Sequence, residues 1–195
     1  MKEKDLSALK FEPLGKHDRA AFACENEALT DYIKKQASQD VSRKAAIVYV
    51  ATLDGKNILG YYTLSQYSIQ LDEIPEQIAK KKFAKYKTVS ATLLGRLARH
   101  ISVKGSEAGE LLLMDALFRA LEMSKQIASS AIVVDAKDDK SAAFYTEYGF
   151  IKLPKTERRL FIPMATVEKL FPELNPSEPA VESNKSHETA SGPAK

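Results

Sequence analysis

The sequence predicts an α/β domain in which helices flank a mixed central β-sheet. Three observations lead there. β-rich runs alternate with segments of helical periodicity along the whole chain. Asp54-Gly55 stands between two β-rich runs, Ala45–Leu53 and Asn57–Gln70, where a hairpin turn is expected. Residues 88–117 read as a strand, a glycine-bearing turn and a helix in immediate succession.

Residues 8–14 form a short first strand, closed by Pro13 and Gly15. From His17 to Gln39 the spacing is helical: Phe22, Leu29, Ile33 and Ala37 share one face, and Lys34, Lys35 and Gln36 lie toward the other. Asn26 is a candidate N-cap that would divide this span into two helices. After the two β-rich runs, residues 73–87 hold a helix starting at Pro75. In its basic segment Lys80, Lys81, Lys82, Lys85 and Lys87 interleave with Phe83 and Tyr86. Two readings of that run stand, a solvated helix face and a patch for a nucleic-acid backbone.

In the strand over 88–101, Leu93, Leu97 and Ile101 face one way and Leu94, Ala98 and His100 the other. Gly105 gives the loop over 102–107 the backbone freedom of a sharp turn. From Ala108 onward Leu111, Leu112, Met114, Ala116, Leu117, Ala120 and Leu121 recur at helical spacing. Ser129–Ala136 is a continuous apolar run, as in a strand buried on both faces. Lys137–Glu147 reads as a helix with Gly149 at its C′ position. Closing strands follow over 150–153 and 159–163, and a last helical turn over 165–171. The chain thus reads as one domain over residues 1–171, followed by a Pro-, Ser- and Glu-rich tail over 172–195 that is expected to be disordered.

Bulk composition narrows the classes. A chain of 195 residues, 44% hydrophobic and 28% charged, is an ordinary soluble globular protein with one full core. No apolar run approaches the ~20 residues of a membrane span, and the N-terminal MKEKDLSALK has no apolar signal core. A single cysteine, Cys24, excludes an internal disulfide and fits the cytoplasm. With no histidine placed to activate it, Cys24 reads as a small buried hydrophobe. Net charge is +3, but the tail is acidic, and without it 27 basic residues face 22 acidic ones. Such a balance permits an anionic partner such as RNA without demanding one.

The strand–turn–helix unit also suggests chemistry. A helix that starts directly after a tight turn aims free N–H groups, and the positive end of its dipole, at one point suited to a phosphate. Lys104 adds a mobile charge beside it. The same residues fit an ordinary strand–helix turn.

Together, this unit, the strand ending at Asp135 and the helix carrying Phe144-Tyr145 before Gly149-Phe150 resemble the GNAT acetyltransferases. LLGRLA (93–98), DAL (115–117), VVDAKDD (133–139), AAFYTEYGF (142–150), GYYTLS (60–65) and the early Cys24-Glu25-Asn26 segment resemble one subgroup, the GNAT toxins of bacterial type II toxin–antitoxin pairs. The resemblance spans roughly residues 10–170. It implies the GNAT fold and transfer of an acetyl group from acetyl-CoA to the α-amine of aminoacyl-tRNA, which blocks translation. Leu97 and Ala98 would pair with the pantetheine arm. Lys104, Gly105, Ser106, Glu107, Ala108 and Gly109 would bind the pyrophosphate. Phe144 would line the cofactor, and Tyr145 would act as general acid beside the thioester sulfur. Arg43, Lys44, Lys80, Lys81, Lys82, Lys85, Arg96 and Arg99 are the candidates for the tRNA backbone, with Arg158 and Arg159 weaker ones. A cognate DNA-binding antitoxin and a homodimer are implied, with no metal.

The physics of that reaction is consistent with these residues. A free α-amine, with a pKa near ~7.7–8, is already partly neutral at physiological pH, so a strong general base is not obligatory. The sequence offers none. One departure from the family pattern stands out: Glu107 occupies the place of a motif glycine, bringing a side chain and a negative charge toward two phosphates. Either the loop relies on Gly105 and Gly109, or Glu107 weakens cofactor binding, or the domain is a catalytically silent binding module. The remaining rival is a GNAT acting on a small amine or a protein N-terminus.

Overall fold

The computed structural model describes residues 5–83 and 85–172, except for the side chains of residues 79, 80 and 82. Seven strands form one sheet: β1 (Lys10–Pro13), β2 (Ile47–Thr52), β3 (Gly60–Gln70), β4 (Thr88–Arg99), β5 (Ala131–Asp135), β6 (Ile151–Lys152) and β7 (Arg159–Pro163). Their spatial order is β1-β2-β3-β4-β5-β7-β6. β4 and β5 run parallel and the other neighbours antiparallel, so the sheet is mixed as expected. The helices are α1 (Glu27–Asp31), α2 (Ala37–Ser42), α3 (Glu76–Lys82), α4 (Ala108–Ser124), α5 (Asp139–Glu147) and α6 (Met164–Val167), with a π turn over Tyr32–Gln36 joining α1 to α2.

The β4–α4–β5 crossover is what places the site, because a parallel pair requires a long connection and here it is a helix. On the face of the sheet that α4 covers, Tyr62, Leu64, Leu94, Ile132 and Val134 pack with Leu112, Leu113, Leu117 and Leu121. Burying each of those leucines contributes roughly 1.5–3 kcal/mol. On the opposite face Val48, Val50 and Tyr61 pack with Phe22, Tyr32 and Ile33, while Ala91, Ala131 and Val133 pack with Ile69 and Ile74. β5 thus sends Ile132 and Val134 one way and Ala131 and Val133 the other, the doubly buried strand its apolar run predicts.

Three expectations need correction. Strict alternation along β4 fails at Gly95: Leu94 pairs with Leu64 and Arg96 with the adjacent Thr63, leaving Gly95 as an extra residue. A bulge of this kind reverses the phase of the strand. Leu93 and Leu97 therefore lie on opposite faces, as do Leu94 and Ala98. The helix expected over 17–39 starts only at Glu27, with Asn26 as N-cap accepting from the Leu29 N–H at 3.2 Å. Before it the Asp18 carboxylate accepts from the Ala21 N–H at 3.1 Å and the Thr30 hydroxyl from the Cys24 N–H at 3.1 Å, local bonds that compete with helix. The hairpin expected at Asp54-Gly55 does form, β2 pairing antiparallel with β3, but its connection is longer than a tight turn. The Asp54 carboxylate accepts from the N–H groups of Lys56 (2.9 Å) and Asn57 (2.7 Å), organising a longer loop over 53–59. From residue 173 on, the expected disordered tail lies outside the described residues.

Candidate active site

β5 is shorter than β4. Their parallel pairing covers only Ala91–Leu94 against Ala131–Val134, so the last residues of β4, including Leu97 and Ala98, have no β5 partner. The bulge at Gly95 begins where the pairing stops. Past the carboxyl ends of parallel strands a crevice is the expected place for a ligand, and here an unpaired strand edge borders it.

At the far end of that edge the chain turns through a 3₁₀ turn, Ile101–Val103, and a bend into α4. Gly105 has φ +84, a left-handed conformation that a side chain rarely adopts. Ser106 caps the turn: its hydroxyl donates to the Val103 carbonyl at 2.8 Å and accepts from the Ala108 N–H at 3.3 Å. The N–H groups of the first turn of α4 have no intrahelical partner and carry the positive end of the dipole. Glu107, the residue at odds with the family pattern, has φ −70 and an exposed side chain that makes no capping bond. Its backbone therefore does not need glycine. A Cβ added at Gly109 would meet nothing nearer than Arg99 Cδ at 4.0 Å. The start of α4 is thus open to close approach at 109, and Ala108 is buried beneath it.

Two expected site residues are engaged with a partner the sequence does not indicate. Lys104 Nζ lies 2.6 Å from Glu25 Oε1, and Arg99 Nη2 lies 3.5 Å from Glu25 Oε2. The hydrogen bond from Lys104, with the charges of Lys104, Arg99 and Lys140, holds the Glu25 carboxyl below the usual carboxylate range. Glu25 sits just before α1, far away in the chain, so no local pattern could have joined it to the loop.

Tyr145 lies on α5, which begins at the N-cap Asp138, whose carboxylate accepts from the Ser141 N–H at 2.7 Å. The helix ends in a Schellman motif: Gly149 N–H to Thr146 carbonyl at 3.0 Å, Phe150 N–H to Tyr145 carbonyl at 3.2 Å, and Gly149 at φ +87. Phe144 and Phe150 stand edge-on and tilted beside the Tyr145 ring, each with centroids 5.4 Å away. Tyr145 shares its cluster with Leu94, Val134 and Ala136, at the ends where β4 and β5 part. Burial pushes its hydroxyl up to about 12. The hydroxyl therefore keeps its proton over the physiological range.

The basic candidates divide. Arg43, Lys44, Lys81 and Lys85 are exposed. Arg96 lies over the Tyr32 ring at 3.7 Å and Arg99 turns to Glu25, so both are held within the fold. Arg158 reaches Asp139 at 3.3 Å, and Arg159 grips Asp135 at 2.6 and 3.0 Å, which takes that carboxylate out of consideration as a base. Lys80 and Lys82 have side chains outside the described residues. A cavity of about 580 Å³ lies at the other end of α4, between Val41, Ile47, Met123 and Ile127, and none of the expected cofactor residues lines it.

No family model matches the chain. A relative in Sinorhizobium fredii named probable toxin TacT is 31% identical over 171 residues, which cover 83% of this chain and 94% of the relative. The chain belongs to the GNAT acetyltransferase toxins. A tRNA-acetylating toxin of Mycobacterium tuberculosis is 28% identical over 154 residues, covering 79% of this GNAT toxin and 90% of that protein. Among solved structures, AtaT complexed with acetyl-methionyl-tRNAfMet superposes with TM-score 0.78 at 28% identity, covering 84% of this chain and 99% of that one. A Tyr→Phe variant of AtaT bound to the C-terminus of the antitoxin AtaR and acetyl-CoA does so with TM-score 0.70 at 26% identity, covering 84% and 98%.

Proposed function

We propose that this GNAT toxin transfers the acetyl group of acetyl-CoA to the α-amine of the amino acid on a charged tRNA, and so blocks translation. Three features around the β4–α4–β5 crossover support the reading: a β4 edge without a β5 partner, a helix start open at Gly109 with cations beside it, and a buried tyrosine clustered with Leu94 and Val134. These three features suit a thioester with a nucleotide handle. What the relatives are named for, and what AtaT is complexed with, supports the same substrates.

Acetyl-CoA supplies an acetyl thioester, whose carbonyl carbon bonds to the amine nitrogen as the carbon–sulfur bond breaks. The chain's own residues do the rest. Leu97 and Ala98 offer backbone groups to the pantetheine arm, and Gly105, Ser106, Ala108 and Gly109 bring the α4 dipole to the diphosphate. Lys104 adds a charge, and Phe144 packs beside the reacting end. Tyr145 gives its proton to the departing sulfur and is reprotonated from water, while the amine proton leaves to water. The exposed Arg43, Lys44, Lys81 and Lys85 face the tRNA backbone, and a DNA-binding antitoxin neutralises the enzyme. By resemblance the toxin is a cytoplasmic homodimer, which light scattering of the purified chain checks.

The test is to incubate the protein with acetyl-CoA and a pool of charged tRNAs, then identify released N-acetyl amino acids by mass. Acetylated aminoacyl-tRNA is expected. Acetylation of polyamines or protein N-termini with charged tRNA left untouched would replace this reading with the small-amine one. Failure to bind acetyl-CoA would sink the enzyme reading.

A further inference from the structure

Arg99 Nη1 is buried without a hydrogen-bond partner, alone among buried side-chain nitrogens and oxygens of the described residues. Leaving such a group unpaired is unfavourable, so a native structure that keeps one calls for a reason, a catalytic or ion-binding role among them. The side chain is 27% exposed, so the guanidinium is near the surface without being free on it. Its Cδ is the nearest neighbour of the open position at Gly109, which places the stem against the first turn of α4. Glu25 satisfies one edge of the guanidinium, and only through a contact of 3.5 Å. The same carboxylate holds Lys104 at 2.6 Å and feels the charge of Lys140. One carboxylate therefore pairs with two cations beside the start of α4, and the pair it makes with Arg99 is a poor one.

We propose that Arg99 is a binding residue for the diphosphate of acetyl-CoA, and that Glu25 is the carboxylate it releases when the diphosphate arrives. The proposal rests on the acetyl-CoA reading above and moves Arg99 from the tRNA contacts to the cofactor. A diphosphate offers the guanidinium two acceptors in fork geometry, against the single long contact to Glu25. By turning from Glu25 to the diphosphate, the guanidinium also gives Nη1 an acceptor. Arg99 and Lys104 together oppose the negative charge that Glu107 brings to the loop, which accounts for a diphosphate site that tolerates a glutamate. Glu25 keeps both cations at the mouth of the site in the free protein, at the cost of competing with the ligand.

Calorimetric titrations of the full-length chain test this, with acetyl-CoA, 3′-dephospho-CoA and S-acetylpantetheine as probes. Arg99→Gln should weaken acetyl-CoA and 3′-dephospho-CoA alike by about tenfold to a hundredfold, the worth of one charge-assisted hydrogen bond. S-acetylpantetheine, which has no diphosphate, should bind unchanged, and so should tRNA. Glu25→Gln should tighten acetyl-CoA several-fold. Unchanged acetyl-CoA affinity in Arg99→Gln would overturn the proposal, and a loss confined to acetyl-CoA would reassign Arg99 to the 3′-phosphate and overturn it too. If Arg99→Gln does not fold, Glu25→Gln decides, since equal or weaker binding there removes the competition. A wild-type chain that binds none of the probes would instead overturn the acetyltransferase reading itself.

Discussion

The Phe150 N–H donates to the Tyr145 carbonyl at 3.2 Å, and the two rings stand 5.4 Å apart. Backbone and side chain of the proposed acid are thus locked to one residue, across a glycine at φ +87. Space exists for a methyl at Gly149, whose nearest neighbour would be Ile162 Cδ1 at 3.8 Å. Gly149→Ala should therefore cost through its backbone and not through a clash, about 1–2 kcal/mol. Urea denaturation measures it, and an unchanged midpoint would refute the strain argument.

Tyr145→Phe keeps the ring packing and removes the proton. Turnover should fall by about 10²–10⁴-fold while acetyl-CoA affinity holds. Single-turnover acetylation beside calorimetry separates the two effects. A parallel loss of both would make Tyr145 a structural aromatic.

The pH profile follows from burial of the same hydroxyl, which raises it to about 12. A raised value means that the folded protein holds the proton more tightly than the unfolded chain. The stability it contributes is fully present below the ordinary tyrosine value near ~10 and is lost as pH rises through about 12. Acetylation should accordingly rise through the α-amine pKa near ~8 and stay level to about pH 10. A descending limb at neutral pH would assign the acid to another group.

Asp115 accepts hydrogen bonds from the Tyr62 hydroxyl and, at 2.9 Å, from Arg119 Nε, and Arg119 Nη2 reaches the Phe11 carbonyl at 3.0 Å. This half-buried network ties α4 to β3 and β1. Asp115→Ala strands a cation and a hydroxyl together, so about 3 kcal/mol of stability should be lost. Denaturant titration of this variant should give a lower midpoint; a change within error would make the network ornamental.

Exposed basic residues predict a salt effect. Affinity for tRNA should fall linearly on a logarithmic salt scale, and Arg43→Ala or Lys85→Ala should reduce the slope by about one if each meets a phosphate. Arg96→Ala should act instead on stability, through the contact over Tyr32 worth about 0.5–2 kcal/mol. Identical slopes for wild type and the Arg43 and Lys85 variants would remove those residues from the interface.

Much of this was legible in the chain because its signals are local. The apolar run Ala131–Val134, the helically spaced leucines of α4, the Asn26 cap and the C′ glycine at 149 each report backbone geometry set by neighbours within a few residues. Family resemblance added the roles proposed for Lys104 and Tyr145. The bulge at Gly95 was not legible, because it exists only where β3 and β4 fall out of register. Nor was the loop before α1 or around Asp54, where side-chain acceptors outcompete regular backbone pairing.

What the sequence determined by itself is the order and type of the main elements, and the residues available at the start of α4 and on α5. Only the tertiary structure decided which charges meet there. Glu25 is brought to Lys104 and Arg99 from the loop before α1, so a carboxylate whose partners no local pattern indicates meets two expected ligand residues. The reason is physical: hydrogen-bond and hydrophobic periodicity act over a few residues, whereas ion pairing acts through space, between whichever side chains the packed core holds together.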